Sequence, residues 1–241
     1  MKNLLIKIPT RERGFGWNSH YIDNISNPNT QVWYTVDRGT KEVDILHYVD
    51  NPPNVNAFLG RESASKIHAY NRDIDDISKT FDWDVIMVGS DDMWPNTPGF
   101  DQIILDDMAE HFPDGDGCLW YNTEDSETEL KQRYRGRHIE FGSPEWQNKW
   151  ISMLPIMGRK YYERFGYIYH PSYKSFWCDN EYTKVAVNAG KIKPIDRTII
   201  RHQHPSWDGG MKADALYHAN NSNWEDDRRN FMRREQQGFP I

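Results

Sequence analysis

With 37% hydrophobic and 14% aromatic residues, the 241-residue chain is long enough to bury a sizeable core within one large domain. Its formal net charge of −7 argues against strong non-specific binding to nucleic acid, although it is compatible with a local basic groove. The two cysteines, Cys118 and Cys178, form no disulfide framework, and no stretch approaches the roughly 20 apolar residues that cross a bilayer. We therefore expect a cytoplasmic protein without a membrane span.

The first predicted strand runs from Leu4 to Ile8 and is stopped by Pro9, which has no backbone N–H. Thr10 and Arg11 follow at its carboxyl end, close to Arg13. Ligands of open α/β sheets bind beyond the carboxyl ends of the strands, so these guanidinium groups could meet a diphosphate there. A solvated loop is the alternative interpretation.

A helix within residues 17–30 and a second strand over 31–36 come next, and that strand ends at Asp37. The Asp37 carboxylate could accept hydrogen bonds from a nucleobase or a ribose, or it could brace the turn. A third short strand is predicted over 44–49.

An amphipathic helix is predicted over 63–79, because its apolar residues recur every three or four positions. Lys66 and Asn71 lie off that apolar stripe. The order strand, helix, strand occurs four times along the chain, which argues for an α/β fold with a largely parallel sheet and right-handed crossovers.

The most informative stretch is the short apolar run 85–88, which reads as a strand buried on both faces and ends in two adjacent carboxylates, Asp91 and Asp92. Two neighbouring like charges repel each other unless a positive charge lies close by. A hard divalent cation, which prefers oxygen ligands, would satisfy both and would also hold a phosphorylated substrate. A solvated turn or a helix N-cap is the alternative.

A second amphipathic helix is predicted over 100–112 and a further strand over 119–121. Residues 122–150 are polar and irregular, and they are interpreted as a lid or an acceptor-binding insertion. This segment contains a local basic cluster that could follow a phosphate backbone, formed by Arg133, Arg135 and Arg137.

Asp179 follows the bulky Trp177, and a carboxylate beside aromatic bulk is harder to ionise, which is how a general base is adjusted toward neutral pH. Alternatively, Asp179 is the N-cap of a helix over 181–189. The last clear strand, over 198–200, leads to His202 and His204, whose spacing puts both on one face of an extended segment. With the two aspartates they could form a mixed nitrogen and oxygen metal site.

The tail over 224–237 is predicted to be a charged helix with its apolar residues toward the body of the protein. Four arginines, which we interpret as a solvated face, are Arg228, Arg229, Arg233 and Arg234.

Taken together, these motifs resemble the GT-A-fold glycosyltransferases of the broad family 2 kind, in the compact form found in phages and bacteria. The matching segments are IKIPTRERG at the first strand, SKIHAYNRDI, GSDDMWP, GYIYHPSYKSFWCDNEYTKVA and RHQHPSW. The resemblance covers roughly residues 1 to 205. It implies a GT-A, Rossmann-like sheet flanked by helices, in one catalytic domain over 1–241. Within that domain it implies a nucleotide-sugar-binding half over 1–121, an acceptor-binding half over 122–205 and a helical tail over 206–241.

The resemblance also assigns expected roles. GSDDMWP corresponds to the family's metal motif, so Asp91 and Asp92 are expected to bind Mn²⁺ or Mg²⁺ and the donor diphosphate. His204, or less favourably His202, is expected to be a further metal ligand. Asp179 is the expected catalytic base, and Glu181 contacts the acceptor or substitutes for that base. The donor-binding residues are expected to be Pro9, Thr10, Arg11, Asp37, Lys66, Asn71 and Asp91.

The implied function is transfer of a sugar from a nucleoside diphosphate donor such as a UDP-sugar to an acceptor hydroxyl. The acceptor could be a hydroxymethylated DNA base, as in phage DNA modification, or a polysaccharide. Whether the reaction inverts or retains the anomeric configuration is left open. Two alternatives remain: a nucleotidyltransferase acting on a sugar phosphate, which would release pyrophosphate, and a non-catalytic protein that stacks aromatic side chains on sugars.

Overall fold

The computed structural model describes residues 1–11, 19–38, 54–90, 92–123, 139–202 and 215–240. Its nine strands are β1 (Leu4–Thr10), β2 (Gln31–Asp37), β3 (Val55–Arg61), β4 (Val85–Val88), β5 (Met93–Pro95), β6 (Cys118–Tyr121), β7 (Ile156–Gly158), β8 (Ile192–Ile195) and β9 (Ile200–His202). The described helices are α1 (Ser19–Asp23), α2 (Lys66–Asn71), α3 (Ile74–Ser78), α4 (Phe100–His111), α5 (Pro144–Lys149), α6 (Arg159–Glu163), α7 (Cys178–Asn188), α8 (Ala215–Asn221) and α9 (Trp224–Gln236).

Seven strands form one sheet in the order β3-β2-β1-β4-β7-β6-β8, and β5 pairs with β9 in a separate two-stranded sheet. Six strands of the large sheet run in the same direction, whereas β7 is antiparallel to both of its neighbours. The predicted largely parallel α/β sheet is therefore confirmed. β8 belongs to the second half of the chain and extends this sheet beside β6.

Both faces of the central strands are buried. Alternate residues of β4 point to opposite sides, with Val85 and Met87 in one apolar cluster and Ile86 and Val88 in the other. The first cluster is covered by α1 and α4, the second by α2, α3, α6, α7 and α9. Such double burial explains why 85–88 is a continuous apolar run. Within the described chain, no helix combines the length and the apolar character needed to span a membrane.

The chain leaves β4 through a residue that must be glycine. A Cβ atom on Gly89 would lie 2.3 Å from the hydroxyl oxygen of Tyr21, a fully buried residue of α1. The close contact between Gly89 and Tyr21 constrains the direction in which the chain leaves β4 toward Asp92 and β5. In β5, Met93 pairs with His202 of β9. Pairing of these short strands brings two segments that are far apart in the sequence together beyond the carboxyl edge of the large sheet.

Several predicted elements of the first half need correction. The predicted strand over 44–49 lies outside the described residues, and β3 over Val55–Arg61 was not predicted. The predicted helix over 63–79 is two short helices, α2 and α3, because Asp73 adopts a left-handed conformation with φ of 69°. The helix expected within 17–30 is shorter and ends at Asp23.

Predictions for the second half are closer to the observed structure. The helix predicted over 100–112 is confirmed as α4, and the strand over 119–121 is confirmed as β6. The last predicted strand is shifted, since β9 covers Ile200–His202, and β8 was missed. The tail helix is confirmed as α9, but Arg234 is buried and does not belong to a solvated face.

Candidate active site

Four polar side chains from four elements come together beyond the carboxyl edge of the sheet. Lys66 begins α2, Asp92 directly precedes β5, Asp179 lies in the first turn of α7, and His202 ends β9. Their charges act on one another: Lys66 interacts with both Asp92 and Asp179, and His202 also interacts with both carboxylates. The four residues are called the cleft cluster below.

Asp92 is held in its ionised form. Its carboxylate accepts a hydrogen bond from the hydroxyl of Ser90, and the Nε2 atom of His202 lies 3.7 Å from its Oδ2 atom. The Asp92 side chain is 17% exposed and that of His202 is 8% exposed. Burial alone would raise the pKa of Asp92, but His202, the Ser90 hydroxyl and the charge of Lys66 outweigh burial and lower this pKa below its ordinary value.

Lys66 faces the carboxylates from the start of α2. Ser65 is the N-cap of this helix, and its hydroxyl accepts a hydrogen bond from the backbone N–H of His68 at 3.1 Å. The Lys66 ammonium lies 5.7 Å from the centre of the Tyr70 ring, and Lys66 as a whole is an exposed residue. The hydroxyl of Tyr70 and the carboxylates of Asp92 and Asp179 raise the pKa of Lys66, so this group is a permanent cation.

Asp179 has the opposite electrostatic environment to Asp92. Burial raises its pKa above the ordinary 3.8, although the charge of Lys66 and the backbone N–H of Asn180 act in the other direction. The N-cap of α7 is Trp177, so the interpretation of Asp179 itself as the N-cap is wrong. Trp177 has a φ of 63°, which is unusual for a bulky residue and redirects the chain just before the helix.

The structure places two predicted donor-binding residues in networks with other parts of the chain. The Oδ1 atom of Asp37 accepts hydrogen bonds from Ser63 Oγ at 2.6 Å and from Arg72 at 2.8 Å. Asn71 Oδ1 accepts from the backbone N–H groups of Ile168 and Tyr169, and its amide nitrogen donates to the Tyr169 carbonyl at 2.7 Å. Both side chains thus fix the chain around the cleft.

The Glu181 carboxylate is used inside the protein. Its two oxygens accept hydrogen bonds of 2.8 Å from Arg234, and the hydroxyl of Tyr173 donates to Oε2 at 2.7 Å. Glu181 is 5% exposed and Arg234 is 7% exposed, so this is a buried, bidentate ion pair between α7 and α9. It explains why Arg234 is buried.

The remaining predicted site residues lie at the end of β1 or outside the described residues. Pro9 and Thr10 end β1, and Arg11 follows as an exposed residue. Thr10 is 4% exposed, and its hydroxyl has no hydrogen-bond partner among the residues that the structure describes. Those outside the described residues are Asp91, His204, Arg133, Arg135 and Arg137.

The chemistry of the cleft cluster fits a divalent cation. Asp92 supplies carboxylate oxygen, which suits Mg²⁺ and Mn²⁺, and His202 supplies an imidazole nitrogen, which also binds divalent transition metals. Within the described ranges, no group of three or more histidine, cysteine or acidic side chains is arranged as a metal site. The sequence had favoured His204 over His202, whereas the pairing of β9 with β5 brings His202 to Asp92.

Comparison with solved structures establishes the fold class. A mannosyltransferase from Pyrobaculum calidifontis, in complex with GDP-mannose and Mn²⁺, matches 95% of this chain and 61% of its own length, with a TM-score of 0.61 and 12% identity. TarS of S. aureus (residues 1–349), in complex with UDP-GlcNAc, matches 90% of this chain and 64% of its own, with a TM-score of 0.58 and 13% identity. The fold is therefore the GT-A type seen in these glycosyltransferases, as the sequence predicted.

This chain spans about three fifths of the length of both structures. No protein-family model matches the sequence, and no curated protein does.

Proposed function

We propose that this protein is a metal-dependent glycosyltransferase that moves a sugar from a nucleoside diphosphate donor to an acceptor hydroxyl. The observation that carries the proposal is the cleft cluster, in which the Nε2 atom of His202 lies 3.7 Å from the carboxylate of Asp92, near Lys66 and Asp179. The lowered pKa of Asp92 and the raised pKa of Asp179 support it. Pairs of carboxylates with opposite pKa shifts are typical of active sites in which one carboxylate stabilises charge and the other transfers a proton. The GT-A fold and the neighbours with GDP-mannose and UDP-GlcNAc support this class of donor.

Asp92 and His202 would hold Mn²⁺ or Mg²⁺, with Asp91 and His204 as additional proposed ligands. A divalent cation there would neutralise the negative charge that develops on the departing diphosphate. Lys66 is accessible, permanently charged and close to Asp92, so we assign its ammonium group to a donor phosphate oxygen.

The other donor contacts are assigned to the end of β1 and β2. We assign the buried hydroxyl of Thr10, which Pro9 and Arg11 flank, to a polar group of the donor, because it has no hydrogen-bond partner among the described residues. Asp37 and Asn71 are assigned to the nucleoside side, where their hydrogen bonds to Arg72 and to residues 168–169 hold the pocket wall in place.

Asp179 is proposed as the base of an inverting reaction. The acceptor hydroxyl oxygen forms a bond to the anomeric carbon, the bond from that carbon to the diphosphate breaks, and the hydroxyl proton moves to the Asp179 carboxylate. The nucleoside diphosphate leaves with the electron pair. Glu181 is not part of this step, because its oxygens are occupied by Arg234 and Tyr173. A glycan acceptor is favoured over DNA by the net charge of −7.

The proposal is tested by thermal unfolding in the presence of GDP, UDP and their sugar conjugates, each with Mn²⁺ and with a chelator. A ligand at about 100 times its dissociation constant stabilises the native state by about 2.7 kcal/mol, so a clear rise in the melting temperature is expected with one sugar nucleotide and Mn²⁺. Release of nucleoside diphosphate rather than pyrophosphate would separate a glycosyltransferase from a nucleotidyltransferase.

A matched pair of variants tests where Mn²⁺ and the sugar nucleotide bind. Asp92→Asn should abolish the Mn²⁺-dependent shift. Asp82→Asn should leave it intact, because Asp82 is 98% exposed and precedes the opposite end of β4. A Mn²⁺-dependent shift that survives in Asp92→Asn would contradict the assigned site, and the absence of any nucleotide-dependent shift in the wild type would contradict the proposed function.

A further inference from the structure

A buried acid of the C-terminal helix α9 binds the segment that leads into α7. The carboxylate of Asp227 accepts hydrogen bonds from three consecutive backbone N–H groups, those of Lys174 at 3.0 Å, Ser175 at 2.8 Å and Phe176 at 2.8 Å. Asp227 is 2% exposed. We call this arrangement the Asp227 clamp.

Three successive N–H groups that converge on one anion fix a short backbone segment strongly, because each bond is charge-assisted and shielded from water. A side chain with only one acceptor oxygen cannot satisfy all three donors. The conformation of residues 174–176 therefore depends on an acid that lies 51 to 53 residues further along the chain.

The clamped segment connects two members of the cleft cluster. At one end, the carbonyl oxygen of Lys174 accepts a hydrogen bond of 3.2 Å from the backbone N–H of Ile67, the residue after Lys66. At the other end, Phe176 leads into Trp177, whose left-handed conformation begins α7 and sets the direction of its first turn, where Asp179 lies. One segment thus touches the start of α2 and carries the start of α7.

We propose that Asp227 is a positioning residue that fixes Asp179 relative to Lys66, an inference that rests on the proposed function. The clamp holds the segment between them, so its loss moves the base without removing any group that binds the donor. Misplacement of a reacting group by about 1 Å can cost a hundredfold in rate.

Steady-state kinetics of Asp227→Asn test this role. The variant keeps the size of the side chain but replaces one acceptor oxygen by an NH₂ group. We expect kcat to fall about ten- to a hundredfold, while KM for the sugar nucleotide stays within about twofold, because Lys66 and Asp92 are untouched. Hydrogen exchange of the amides of residues 174–176 should become faster than in the wild type.

The matched control is Glu235→Gln, which removes the exposed ion pair between Glu235 of α9 and Lys184 of α7 without touching the clamp. Its kcat should equal that of the wild type at a temperature where circular dichroism shows all variants folded. If the wild type is active and kcat is unchanged in Asp227→Asn, the positioning role is overturned. An equal loss of kcat in Asp227→Asn and Glu235→Gln would also overturn it. A wild type that binds no nucleotide would instead overturn the proposed function.

Discussion

Asp92 and Asp179 lie in the same cleft, but their segments are built in opposite ways. Asp92 sits between a buried strand and a short strand pair, where a hydroxyl, an imidazole and an ammonium group stabilise its charge. Asp179 lies in the first turn of α7, just after Trp177 with its left-handed backbone conformation, and burial disfavours the charged form of Asp179. The difference shows how one edge of a sheet can bring a carboxylate with a lowered pKa and a carboxylate with a raised pKa into one cleft.

Among the variants proposed, Asp179→Asn should cause the largest loss of kcat. The variant cannot accept the acceptor proton, so kcat is expected to fall about 10²- to 10⁴-fold, while sugar-nucleotide binding stays close to that of the wild type. Steady-state kinetics and thermal unfolding with the donor would measure the two effects. Asp196→Asn, at an exposed site before β9, is the control. An unchanged kcat in Asp179→Asn would show that the reaction does not use this base.

The pH dependence of kcat provides a second comparison. Asp179 must be ionised to accept a proton, so kcat should decline about tenfold per pH unit once the pH falls below its pKa, which lies above 3.8. Asp92 remains ionised throughout, because its pKa is lowered. A kcat profile recorded between about pH 4 and 9 should show this acidic limb in the wild type. Its persistence in Asp179→Asn would assign the limb to another group.

Lys66→Met tests the cation that interacts with both carboxylates. Loss of a charge-assisted contact of about 1.5 to 3 kcal/mol should raise KM for the sugar nucleotide about ten- to a hundredfold. Lys79→Met removes an exposed lysine just beyond α3 and should leave KM unchanged. Equal KM values for the two variants would exclude Lys66 from the donor site.

Lys7 shows what burial does to an ionisable group outside the cleft. It is fully buried in β1, its ammonium nitrogen lies 2.5 Å from the Ala69 carbonyl oxygen, and burial lowers its pKa from 10.5 to about 7. The unfolded chain keeps the proton up to about pH 10.5, whereas the folded protein loses it near pH 7, so the free energy of unfolding should rise with pH between these values.

Lys7→Met should remove that rise and increase the free energy of unfolding at pH 7 by about 1 to 3 kcal/mol, because the burial cost of the amine exceeds the loss of its hydrogen bond to Ala69. Urea unfolding at about pH 7 and pH 10 would measure both effects. If the variant has the same pH dependence as the wild type, the slope does not come from Lys7.

The sequence predicted the elements with strong local signals. The run 85–88 and the helix α4 were both identified, since a doubly buried strand is continuously apolar and α4 has a clear apolar stripe. β3 was missed because it contains Gly60 and an exposed Leu59, and most of its other residues are only partly buried, so its pattern is weak. The break between α2 and α3 depends on a left-handed aspartate, which neither proline nor glycine marks.

For the site, the sequence supplied Lys66, Asp92, Asp179 and His202 as candidates. Asp92 and His202 follow predicted strands, Asp179 precedes a predicted helix, and Lys66 lies off the apolar stripe of the helix predicted over 63–79. Their roles stay predictions. It gave no indication of Asp227 or of the pairing between Arg234 and Glu181. In both cases the partners are more than 50 residues apart, and an acidic or basic residue on a charged helix looks the same whether it faces water or a buried partner.

The distance along the chain between Asp227 and the amides that it binds also sets an order of events during synthesis. A ribosome that has just completed residues 174–176 still has to add 51 to 53 residues before the acid that fixes them exists. By then the strands that flank Asp92 have been made, but domains generally fold as units. The start of α7 can therefore reach its final conformation only after α9 has been synthesised.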